Sequence, residues 1–145
     1  MKNCTRQIPA RLLQGLSIKM SDLSRKIEIN VLTEYMPSHS SDEERKYFFA
    51  YSVTIKNESD INVQLVSRHW KIVNSNGNVK TVDGIGVIGE QPIIYPGDNF
   101  TYTSAAEIDT PIGEMFGSYS METEFGERFD AEIPKFDLIM PRSLH

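Results

Sequence analysis

From Lys26 onward, apolar and polar residues alternate with a period of two. Ile27, Ile29 and Val31 are separated by Glu28 and Asn30, and Tyr47, Phe49, Tyr51, Val53 and Ile55 are spaced in the same way. Side chains of a strand point alternately to its two faces, so this spacing predicts half-buried β-strands. No window shows helical spacing over a useful length. Between Ile61 and Val73 the apolar set begins on odd positions (Ile61, Val63, Leu65) and continues on even ones (Val66, Trp70, Ile72). A change of phase inside one strand predicts a β-bulge near Val66, with Trp70 as a core anchor.

Turn residues punctuate the pattern at short intervals. Asn76-Gly77, within residues 74–78, predicts a type I′ hairpin, and Pro96-Gly97 predicts the centre of a type II turn. Phe125-Gly126-Glu127 separates strands expected at 115–124 and 128–133, and residues 136–140, between Pro134 and Pro141, read as a further edge strand. With 79–82, 92–95 and 100–105 the count is seven to nine strands. The fold class is therefore all-β, an antiparallel β-sandwich, with a closed barrel as the alternative that periodicity does not separate from it.

At 145 residues there is room for one domain with a core. The single cysteine, Cys4, excludes an intramolecular disulfide and points to a reducing, cytoplasmic setting. The net charge is −5, unevenly placed: residues 1–19 carry Lys2, Arg6, Arg11 and Lys19 and no acid, leaving 11 basic against 20 acidic residues in 20–145. Such an acidic body is a poor ligand for phosphate backbones, so no direct nucleic-acid partner is expected. No apolar run approaches the length of a membrane helix. Met20 stands where the composition changes. Residues 1–19 are read as an accessory extension, or an upstream start before Met20, and 20–145 as the domain.

Candidate chemistry is sparse. Gly84-Ile85-Gly86-Val87-Ile88-Gly89 spells G-x-G-x-x-G, which in dinucleotide sites lets a backbone approach pyrophosphate at a helix N-terminus. Here Glu90, Gln91 and Pro92 follow, and two prolines by position 96 forbid that helix. Gly84, Gly86, Gly89, Glu90 and Gln91 are thus a candidate ligand-contacting loop, or simply a glycine-rich turn. The polar stretch 37–44 gathers His39, Asp42, Glu43 and Glu44, the one local set of residues able to ligate a metal, and otherwise a solvated loop. There is no G-x-S-x-G, and His69 lies inside a strand as a structural histidine. No catalytic constellation and no cofactor are expected. Tyr47, Phe48, Phe49 and Tyr51 put aromatics on both faces of one strand, which points either to burial on both sides or to a protein partner or homodimer met through an edge strand.

Several spaced segments resemble one family. Gly84-x-Gly86-Val87-x-Gly89-Glu90-Gln91-Pro92, Pro96-Gly97, Phe100-x-Tyr102-Thr103-Ser104, Thr110-Pro111-x-Gly113-x-Met115-x-Gly117-x-Tyr119-x-Met121 and Ile133-Pro134-x-Phe136-x-Leu138 are similar to bacterial ApaG proteins. Upstream, Phe49-Ala50-Tyr51-x-Val53-x-Ile55-x-Asn57, Val63-Gln64-Leu65 and Arg68-x-Trp70 resemble them too. The resemblance covers essentially residues 26–145. It implies a fibronectin type III-like sandwich, a genetic link to cobalt resistance and magnesium efflux, relatives in eukaryotic F-box proteins that look like protein-interaction modules, and no catalytic residues to transfer. The function expected is a non-catalytic binding module. The alternative is a protein that binds a divalent metal or a phosphate-containing nucleotide.

Overall fold

The computed structural model describes residues 22–142, so the expectation for residues 1–19 lies outside the described part. After a helical turn at 22–25, the alternating segments form eight strands: β1 (Ile27–Tyr35), β2 (Tyr47–Asn57), β3 (Val63–Asn74), β4 (Val79–Ile85), β5 (Ile93–Ile94), β6 (Asn99–Ile108), β7 (Ile112–Thr123) and β8 (Arg128–Ile139). They make two antiparallel sheets, one ordered β1-β2-β6 and one ordered β4-β3-β7-β8, with β5 on the same edge of β3 as β4. This is the expected sandwich, not a closed barrel. Along one side β1 packs against β8, and Ser24 Oγ donates to the Asp130 carbonyl (2.6 Å). Along the other, the β4 and β6 edges face each other without pairing among the described residues.

The core lies between the sheets, where the alternating apolar residues of β2 meet those of β3, β7 and β8. Trp70 anchors it, edge-on to Tyr51 (5.4 Å between ring centroids), Phe136 (5.8 Å) and Tyr119 (6.3 Å). Val63 and Leu65 before the bulge, and Trp70 and Ile72 after it, all face inward, because β3 slips by one residue against β7 between Leu65 and Ser67. The extra residue is Val66.

Three expectations need correction. The residues read as two strands around Pro134 form one strand, β8, which slips against β7 between Met115 and Gly117. Proline lacks an N–H and is tolerated at such an edge irregularity, so it bends the strand instead of ending it. The Asn76-Gly77 turn is not type I′: only Gly77 has positive φ (84°), and Gly77 N–H returns to the Asn74 carbonyl (3.0 Å), giving a three-residue loop. Asn74 Oδ1 accepts from the N–H groups of Asn76 and Asn78, and Thr123 Oγ1 does the same for Phe125 and Glu127 in an equivalent loop. Finally, β2 is the central strand of its sheet, so no partner can add to it through an edge. Its inward aromatics, Tyr47, Phe49 and Tyr51, are buried and Phe48 is half-buried. The Pro96-Gly97 turn is as expected, with Gly97 at φ 83° and Asp98 N–H bonded to the Tyr95 carbonyl.

Candidate functional site

The glycine motif is a hairpin docked on the β3 bulge, at the point where β3 changes partner from β4 to β5. Gly86 N–H donates to the Val66 carbonyl (2.8 Å), and Gln91 Nε2 donates to the same oxygen (3.0 Å). Gln64 Nε2 reaches the Gln91 carbonyl, and Leu65 N–H that of Pro92. Val87 is buried, pinning the loop from below. Gly86 sits at φ 64°, and a Cβ there would lie 2.1 Å from the Glu90 carbonyl oxygen, so only glycine fits. Gly84 has a different task. The Arg68 guanidinium lies across it, where a Cβ would stand 2.6 Å from Cζ, and donates to the carbonyls of Ile85 (3.3 Å) and Gly86 (2.7 Å).

The tip is where the type I′ turn occurs. Val87 and Glu90 exchange both backbone hydrogen bonds (2.8 and 2.9 Å), and the two residues between them have positive φ, 50° at Ile88 and 73° at Gly89. A β-branched residue in the left-handed region is strained by roughly 1–2 kcal/mol. Ile88 is nevertheless 59% exposed, and Ile85 (76%) and Ile93 (51%) stand on the outer face on either side of the bulge. The N–H groups of Gly86, Val87 and Glu90 are already used inside the protein.

The second candidate set lies at the opposite end of the sandwich, beside the start of β2. Pro37–His39 is a single 3-10 turn, and Asp42–Arg45 is a tight turn closed by a Ser41–Lys46 bridge. Asp42 accepts from the Tyr47 hydroxyl, which holds that phenol's pKa above its ordinary value. His39, Glu43 and Glu44 are exposed, and Glu44 lies 3.6 Å from Lys46 Nζ. Among the described residues no three His, Cys, Asp or Glu side chains converge.

Sequence reasoning missed two constellations, both built across strands. On the outer face, His69 Nδ1 meets Asp83 Oδ1 (3.0 Å), while Nε2 lies 3.1 Å from both Ser67 Oγ and Ser120 Oγ. Ser120 also donates to Asp130 (3.3 Å). The order Asp-His-Ser is that of hydrolytic triads, but here one Nε2 serves two hydroxyls, and Ser120 lies on β7, a strand paired on both sides. On the inner face Tyr102 and Tyr119 hydroxyls bond to each other, with the Trp70 indole N–H nearby and without a partner of its own. Burial pushes Tyr102 up to about 12 and raises Tyr119 and Tyr51 as well. Register alone could have shown that His69, Asp83 and Ser118 share a row. Sequence spacing could not.

The sandwich of sheets ordered β1-β2-β6 and β4-β3-β7-β8 is that of the small fibronectin type III-like β-domains. The ApaG domain model matches residues 37–123. Proteins named ApaG from Aromatoleum aromaticum and Beijerinckia indica are 49% and 50% identical to this chain, over 83% and 85% of its length and 94% and 95% of their own. A crystal structure of a Bordetella pertussis protein described as ApaA superposes with a TM-score of 0.78 at 40% identity, over 81% of this chain and 95% of that one. The chain belongs to the ApaG family. Among the described residues no helix is long and apolar enough to cross a membrane.

Proposed function

We propose that this domain is a non-catalytic binding module that holds another protein with its glycine hairpin and the adjacent outer face. The observation that carries the reading is Ile88: an exposed, β-branched residue kept in a left-handed conformation on a loop pinned at Gly86, Val87 and Gln91. Strain of this kind persists where the surroundings enforce it, and it concentrates at recognition sites. With Ile85 and Ile93 it presents apolar surface on a rigid support, which lowers the ordering cost of binding. The His69 Nε2, shared between the Ser67 and Ser120 hydroxyls and so not dedicated to one nucleophile, supports the non-catalytic part of the reading.

The test compares recovery of bound proteins by the wild-type chain with that by Ile88→Asn and Ile93→Ser. Both variants keep the fold, as amide spectra will show, and both lose the specific partner. A partner recovered equally by all three chains refutes the reading. The alternative, a divalent cation or a phosphate-bearing nucleotide, is separated from it by amide titrations with Mg²⁺, Zn²⁺ and a dinucleoside tetraphosphate. Saturable shifts at residues 84–91 or 39–44 would favour that alternative.

A further inference from the structure

The unpaired side of the sandwich has a distinct architecture. Between the β4 and β6 edges lies a cleft of about 320 Å³ lined by Tyr51, Arg68, Trp70, Lys80, Val82 and Ser104, among others. A second one of about 340 Å³ continues it along the seam past Lys80 and Glu107. The parity of the ladder fixes which backbone groups look into this seam. Asn57 donates its N–H to Asp98 (3.0 Å), and in an antiparallel pair hydrogen-bonded and non-bonded pairs alternate. With the β2–β6 register, Phe100, Tyr102, Ser104 and Ala106 therefore bond to β2. The N–H and C=O groups of Thr101, Thr103, Ala105 and Glu107 point to the open edge.

Natural sheets blunt exposed edges with charged residues, prolines or bulges. β6 has none of these from Asn99 to Ala106, and its middle is small: Ser104, Ala105, Ala106. Across the cleft stands Arg68, half-buried, held by two carbonyls and paired with no carboxylate among the described residues. The acid on the rim, Glu107, belongs to the exposed face of β6. A guanidinium in such a setting selects a carboxylate.

We propose that the β6 edge accepts an extended segment of a partner protein as an added antiparallel strand, with an acidic side chain opposite Ser104 entering the cleft to meet Arg68. A residue opposite Ser104 shares its inward face, and the small side chains of β6 leave it room. A second copy of β6 would bring only Phe100, Tyr102, Ser104, Ala106 and Ile108 to that face, and residues 1–21 carry no acidic side chain, so neither supplies the counter-ion. The added strand would meet β6 and not the exposed Ile85, Ile88 and Ile93; Arg68 borders both, its guanidinium donating to the Ile85 and Gly86 carbonyls of the hairpin while lining the cleft.

The experiment is an amide NMR titration of the full chain with a blocked nine-residue peptide of alternating threonine and valine carrying a central glutamate, and with its twin carrying a central lysine. The glutamate peptide gives saturable shifts at Thr101, Thr103, Ala105 and Glu107 and binds at least about tenfold more tightly than the lysine twin. Arg68→Met removes that difference. Ala105→Pro deletes an outward N–H and abolishes binding of both peptides, whereas Ile88→Asn changes neither. Absence of saturable shifts on β6, or equal binding of the twins to the wild type, overturns the proposal. So does a dimer dissolved by Ala105→Pro, which would assign the edge to a second copy. Should Ala105→Pro fail to fold, the Arg68→Met comparison still decides.

Discussion

Asn57 ends β2 fully buried, and its side chain uses its whole hydrogen-bonding capacity. Nδ2 donates to the carbonyls of Ile61 (2.8 Å) and Ile94 (2.9 Å), and Oδ1 accepts from Ser59 N–H (2.9 Å) and Ser59 Oγ (2.6 Å). Its backbone holds Gly97 and Asp98. One side chain thus ties β2 to the 59–61 turn and to β5, the strand that follows the glycine hairpin. In Asn57→Ala, each buried group left without a partner costs about 1–3 kcal/mol; solvent can re-satisfy part of the set, so a loss of about 3–5 kcal/mol is expected. That is a large fraction of a typical domain's stability of roughly 5–15 kcal/mol. Asn57→Asp keeps the shape and the acceptor role but replaces both donors by an oxygen facing two carbonyls. Its buried carboxyl would keep its proton in the folded state while the unfolded chain releases it near pH ~4. The folded state then binds more protons, so stability falls as pH rises from about 4 toward 7. Urea unfolding followed by circular dichroism at pH 4.5 and 7 measures both effects. A loss below about 1 kcal/mol for Asn57→Ala, or an Asp variant more stable at pH 7 than at 4.5, would refute this account.

Other outcomes follow from features already described. Tyr102→Phe and Tyr119→Phe each leave one buried hydroxyl without its partner and cost about 1–3 kcal/mol, while the double variant costs clearly less than their sum; additivity in a double-mutant cycle would argue against the pair. Because burial raises the pKa values of Tyr51, Tyr102 and Tyr119, the folded state keeps protons that the unfolded chain releases above pH ~10, so stability falls by up to about 4 kcal/mol per pH unit there. Ultraviolet titration should show these phenols ionising together with unfolding, and gradual ionisation of the folded protein would contradict their burial. Ile88→Asn relieves left-handed strain but gives up some burial, so its stability should stay within about 1 kcal/mol of wild type, checked by thermal unfolding. Gly86→Ala brings a Cβ against the Glu90 carbonyl and should expose residues 86–91 to amide exchange, whereas unchanged protection would refute the fit argued for Gly86.

The fold was legible where period two ran without interruption, in β1, β2 and the two halves of β3, because burial of one face dictates the pattern directly. The bulge could be located because apolar residues change parity at Val66. Phe129, Ala131 and Ile133 give way to Phe136 and Leu138 in the same manner, yet Pro134 masked that signal and made one strand read as two. Turn type was less legible: Asn-Gly is the usual type I′ pair, but three-residue closure claimed it, and the type I′ turn fell on Ile88-Gly89, where local propensity argues against it. The glycine motif was visible as a motif, though the tasks of Gly84 and Gly86 depend on Arg68 and Glu90, which only the folded chain brings to them. The His69 row and the Arg68 cleft join residues from several strands, and no linear spacing encodes such meetings.

The single extra residue at Val66 acts as a frame shift in the strand's inside-outside alternation. Upstream of it, odd positions face the core; downstream, even ones do. Without that offset Trp70 and Arg68 would point to solvent, and His69 would be driven between the sheets. Deleting one residue between Leu65 and Ser67 would therefore invert the strand's downstream half and exchange its anchor for an imidazole. A substitution there would change one side chain, whereas a length change would rewrite a face.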